Sequence, residues 1–99
     1  MYGLIIRKSV EEELHKLVKR DKLTAEILER KITEINEDPY KFEPLRSPLQ
    51  GFRRVHIGKS FVLIYMIDEP DKTIIIEEFD RHKNVYKHPI NEILLHHNS

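Results

Sequence analysis

The apolar residues of this chain change period once, and that change limits the folds open to it. From Ser9 to Asp38 they recur at helical spacing, and from Phe52 to Phe79 at strand spacing. Side chains three or four apart share a helix face, whereas side chains two apart share a strand face. A chain that is helical first and strand-like afterwards must lay one layer on the other to bury both apolar faces. Its 99 residues suffice for one domain with one modest core.

Tyr2–Arg7 contains the apolar run Leu4-Ile5-Ile6 and reads as a buried strand. Ser9 with Glu12 has the spacing of a capping box, and Val10, Leu14, Leu17 and Val18 follow as one stripe. Asp21 or Thr24 caps a second helix striped by Ala25, Leu28, Ile32 and Ile35, which Pro39 ends near Asp38. So short a connection predicts an antiparallel helical hairpin. Pro39, Pro44 and Pro48 then interrupt residues 39–51, which read as an ordered loop or a broken extended segment.

Phe52–Ile57, Phe61–Ile67 and Thr73–Phe79 are separated by the turns Gly58-Lys59-Ser60 and Asp68–Lys72, the pattern of a three-stranded meander. Phe61–Ile67 is apolar on both faces and belongs in the centre. The expected architecture is α+β, in the order β-α-α-β-β-β, with an antiparallel sheet and a helical hairpin packed on one face. Residues 1–86 form the expected domain. Residues 87–99 form a tail in which Ile90, Ile93 and Leu94 are spaced for a short helix.

Without cysteine there is no disulfide framework and no thiolate zinc site. The six histidines include no helical HxxxH pair, so no metal and no cofactor is expected. No apolar run has the length of a signal peptide or a membrane span, which makes a cytoplasmic protein the expectation. The formal net charge is zero, so any nucleic-acid surface must come from local asymmetry.

The strand Phe52–Ile57 supplies one. Val55 and Ile57 should face the helices, which sends Arg54 and His56 together to the opposite face. A guanidinium beside an imidazole can hold a phosphate and move a proton near neutral pH. Ordinary solvent-facing positions of a half-covered sheet would show the same alternation. Between Lys41 and Ser60 five basic residues stand against one acid, Glu43. The last strand brings Arg81, His82 and Lys83 back toward that end, so a basic patch is expected there.

The string Pro48-Leu49-Gln50-Gly51-Phe52-Arg53-Arg54-Val55-His56-Ile57, the strand Phe61-Val62-Leu63-Ile64-Tyr65 and the ending Arg81-His82-Lys83-Asn84-Val85-Tyr86 resemble the core of the RelE/ParE superfamily of type II toxins. The YafQ branch is the most similar. The resemblance implies a ribosome-dependent endoribonuclease that cuts mRNA in the ribosomal A site, without metal, by attack of a 2′-hydroxyl on the adjacent phosphate. It also implies a cognate antitoxin as partner.

Matched by position, His56, His82 and Arg54 become the catalytic set, with Arg53, Lys59, Arg81 and Tyr86 as RNA- or phosphate-binding residues. Three positions depart from the relatives. Ser47 stands where the YafQ branch has histidine, Ser60 where it has aspartate, and Val62 where RelE has arginine. The alternatives within the superfamily are a ParE-like toxin that poisons DNA gyrase and a catalytically degenerate antitoxin-binding module. Leu23 and Ile27, off the stripe of the second helix, and the tail residues Ile90, Ile93 and Leu94 are candidate partner surface. Burial of the tail on its own sheet is the alternative for those last three.

Overall fold

A computed structural model of the chain describes residues 2–81. The expected tail, with His82 and Tyr86, lies outside the described residues. Strand β1 (Gly3–Ile6) leads into helices α1 (Lys8–Arg20) and α2 (Lys22–Glu37), followed by β2 (Glu43–Pro44), β3 (Phe52–Ile57), β4 (Phe61–Asp68) and β5 (Thr73–Arg81). The five strands form one sheet in the order β1-β5-β4-β3-β2, with β4 central as its two apolar faces require.

The expected capping box at Ser9 and Glu12 does not form. Arg7 occupies the N-cap position of α1 without a side-chain cap. Its N–H donates to Ile76 O (3.2 Å) while its carbonyl accepts from Glu11 N (2.9 Å). The strand therefore runs straight into the helix and leaves no residue over for a serine cap. At the other end one residue serves both helices. Asp21 N–H donates to Leu17 O (2.8 Å), and its carboxylate accepts from Thr24 N (3.1 Å) and Thr24 Oγ1 (2.6 Å). The hydrogen bond from the Thr24 hydroxyl, then that from its N–H, holds the Asp21 carboxyl below its usual value.

Pro39 excludes the helical conformation at Asp38, which closes α2 by donating to Glu34 O (3.0 Å). The hairpin thus returns the chain to the end where β1 begins, and Asn36 Nδ2 donates to Tyr2 O (2.9 Å) there. A meander started from that end sends its third strand in the direction of β1. For this reason β1 pairs with β5 in parallel, making the sheet mixed where an antiparallel one was expected. The two-residue β2, paired with Arg53 and Arg54, is too short for a periodic signal, and Pro44 is tolerated because it lies on an edge.

The core lies between sheet and helices. Val10 and Leu17 of α1 and Leu28 and Ile35 of α2 pack on Val55, Ile57, Leu63, Tyr65, Ile74, Ile76 and Phe79. Val18, expected in the α1 stripe, is instead exposed. The far face is not bare. Leu45 and Leu49 fold over Phe52, Val62, Ile64 and Met66 as a second cluster, in a loop whose turn depends on Gly51 at φ 98°.

One irregularity interrupts the alternation of β5. Ile64 pairs with Glu78, but Tyr65 pairs with Ile76, so Glu77 is an extra residue on β5. Before this bulge Ile74 and Ile76 face the helices; after it Phe79 does, and Glu78 and Asp80 turn to the far face. Glu77 itself is buried and held by Arg7 through Nε–Oε1 (3.0 Å) and Nη2–Oε2 (3.4 Å).

Candidate functional site

Two rows of polar and apolar side chains cross the far face beside the row Phe52-Met66-Ile75, since partners across a ladder share a face. His56 pairs with Val62 and Val62 with Asp80; Arg54 pairs with Ile64 and Ile64 with Glu78. The β4 residues between them, Val62 and Ile64, are buried in the cluster that Leu45 and Leu49 cover. A guanidinium and an imidazole on β3 thus stand across β4 from two carboxylates on β5. Two strand spacings put the β3 and β5 backbones about 10 Å apart. His56 is exposed and Arg54 half-buried.

Arg54 is not presented alone. Its Nη2 donates to Glu43 Oε2 at 2.6 Å. That hydrogen bond, then the guanidinium charge, lowers the Glu43 pKa. The short β2 makes this contact possible, because pairing Glu43 with Arg54 across an edge ladder brings the two side chains together.

Arg54 and His56 share a face as expected. Arg53, Arg81 and Lys59 do not join them. Arg53 precedes Arg54 and must take the opposite face; its Nη1 donates to Tyr40 O (3.2 Å) and Phe42 O (2.7 Å), and its guanidinium lies over the Tyr40 ring (5.2 Å). It braces the loop after α2. Arg81 pairs with Phe61 on the helix side and lies over that ring at 5.2 Å. Lys59 sits in the turn joining β3 to β4. Among the described residues the expected basic patch is therefore divided between two faces. Conversely, Glu78 and Asp80 were not anticipated, because strict alternation through Thr73–Phe79 assigns them to the other side. The run Ile74, Ile76, Phe79, with its step of three, is the only trace of the bulge in the sequence.

The family model described as the ParE toxin of type II toxin–antitoxin systems matches residues 4–86. The chain belongs to the RelE/ParE superfamily of type II toxins. A protein of Methanocaldococcus jannaschii named for the toxin RelE4 is 46% identical over 87 residues, covering 88% of this chain and 93% of that one. Among solved structures, a free-state mutant of the E. coli toxin RelE superposes with a TM-score of 0.73 at 21% identity, covering 93% of this chain and 97% of that chain. The RelBE2 toxin–antitoxin complex of Mycobacterium tuberculosis gives 0.67 at 26% identity, covering 82% and 98%. The two-helix, five-strand architecture of this toxin is that of RelE.

Proposed function

We propose that this toxin is a metal-free endoribonuclease that cuts messenger RNA in the ribosomal A site, in the cytoplasm, and that a cognate antitoxin neutralises it. The observation that carries the reading is the placement of Arg54 and His56 two residues apart on one face of a single rigid strand. In the proposed reaction a base removes the proton of a ribose 2′-hydroxyl. The resulting oxygen attacks the adjacent phosphorus, the P–O5′ bond breaks, and an acid protonates the departing 5′-oxygen. The products are a 2′,3′-cyclic phosphate and a free 5′-hydroxyl.

His56 and His82 supply the acid and the base between them. Arg54, oriented by Glu43, stabilises charge developing on the phosphoryl oxygens. Tyr86 packs on a base. Glu78 and Asp80 face the incoming strand from β5, where a carboxylate can accept a hydroxyl proton or orient a histidine. The antitoxin partner is supported by the solved relative crystallised as a RelBE2 toxin–antitoxin complex.

A gyrase-poisoning activity is the second reading, favoured by the ParE family model that covers the chain. Induced expression separates the two. Growth arrest with cleaved, ribosome-bound mRNA, lost in His56→Ala and Arg54→Ala, is the expected result. Arrest with intact mRNA and accumulated double-strand DNA breaks would replace the ribonuclease with a gyrase poison.

A further inference from the structure

Apolar residues off the helical stripe and basic residues off the catalytic face meet at one place in the fold. Leu23 and Ile27, with Lys59 and Arg81, line a single groove of about 520 Å³ between the α1–α2 joint and the end of the sheet. Its wall is aliphatic, with Leu17 at the base and Leu23 67% exposed at the lip. Three cations stand around it, Arg20 ending α1, Lys59 in the β3–β4 turn and Arg81 ending β5. Among the described residues none of the three is in an ion pair. The one acid of the lining, Asp21, has its carboxylate committed to Thr24.

We propose that this groove is a docking site for an acidic, leucine- or phenylalanine-bearing segment of a partner protein, its apolar anchor lying on Leu23 and Ile27 and its carboxylates on Arg20, Lys59 and Arg81. This rests on the reading of the chain as a toxin with an antitoxin, and adds to it where the partner binds and by what chemistry. Charge decides the sign of the ligand, with three cations against one committed carboxylate. The wall decides its class. The single aromatic ring in the lining, Phe61, already stacks on Phe79 (centroids 5.1 Å, 8° between planes) and carries the Arg81 guanidinium. What remains is aliphatic surface, which suits a protein side chain better than a nucleobase, whose binding to single strands depends on aromatic stacking. Cations ringing an apolar anchor site also accelerate association with an acidic partner.

The test uses the full chain and a fluorescein-labelled peptide in which glutamates flank leucine and phenylalanine, followed by fluorescence anisotropy. The expected result is binding that weakens as salt rises and is lost when lysine replaces glutamate in the peptide. Arg20→Glu and Leu23→Glu, both exposed and outside the proposed catalytic set, should each weaken it roughly tenfold or more. Affinity unchanged by both substitutions overturns the site. Tighter binding of an oligouridylate than of the peptide, sensitive to Arg20→Glu, overturns it in favour of RNA. Peptide binding that appears only when Ile90, Ile93 and Leu94 are changed to serine in the full chain overturns it in favour of the toxin's own tail. Growth arrest is scored separately. A chain that binds the peptide without arresting growth refutes the toxin activity and leaves the groove standing, and the converse refutes only the groove.

Discussion

Replacing Arg7 with alanine tests whether the Arg7–Glu77 pair holds the bulge that builds the far face. The Glu77 side chain has no exposure and that of Arg7 has 37%. Removing one partner of a fully buried pair costs about 3–5 kcal/mol, mostly through the stranded charge. Water already reaches Arg7 and can enter the space it vacates, so the expected loss for Arg7→Ala is about 2–3 kcal/mol. For a domain of this size that lowers the melting temperature by roughly 10–20 °C. The assay is urea denaturation of Arg7→Ala, Glu77→Gln and the double variant, followed by circular dichroism. If the stranded carboxylate is the cause, adding Glu77→Gln to Arg7→Ala should recover more than about 1 kcal/mol, a coupling typical of residues in contact. A loss below about 1 kcal/mol for Arg7→Ala, or purely additive losses, would refute the reasoning.

Tyr65→Phe removes the hydrogen bond from the buried hydroxyl to Pro39 O (2.6 Å) and should cost about 1–2 kcal/mol in the same assay, since the carbonyl is left unsatisfied. Burial pushes the Tyr65 phenol up to about 12. Its protonated form is therefore favoured by folding, and the stability it contributes is complete below an unfolded value of about 10 and lost as pH rises through about 12; alkaline difference absorbance should show this tyrosine ionising last. Asp21 has the opposite sign. Its carboxyl is held low by Thr24, so its contribution is present above the unfolded value and lost as pH falls through the folded one, and Asp21→Ala should flatten that part of a stability–pH profile. His56→Ala should abolish growth arrest while changing stability by less than about 0.5 kcal/mol, because the side chain is exposed. Cleavage of mRNA by the unsubstituted toxin should persist in EDTA; loss of cleavage that zinc restores would contradict metal-free chemistry.

The helical hairpin and the meander were legible because each rests on several periods of a repeating pattern. The shared face of Arg54 and His56 came from the same rule, applied to an unbroken six-residue strand. What escaped was non-periodic. The two residues of β2 carry no pattern, the parallel pairing of β1 depends on where the hairpin returns, and the cap at Ser9 yielded to a ladder bond from Arg7 to the distant Ile76. The bulge at Glu77 had the largest effect on the site. One extra residue inverted the strand after it, bringing Glu78 and Asp80 to the face of His56 and sending Arg81 to the groove.

The parallel pairing of the first strand with the last also constrains the order of events during synthesis. β1 leaves the ribosome first, yet its ladder is completed only by Thr73–Ile76. Until those residues emerge, Leu4, Ile5 and Ile6 have no strand to join, and the helical hairpin can form but has no sheet to cover. The closure of so long a loop belongs to the slow, non-local class of contacts. A nascent chain of this toxin therefore stays incomplete until β5 has been made. The ribosome that translates it holds an unfinished sheet until Thr73–Ile76 have cleared it.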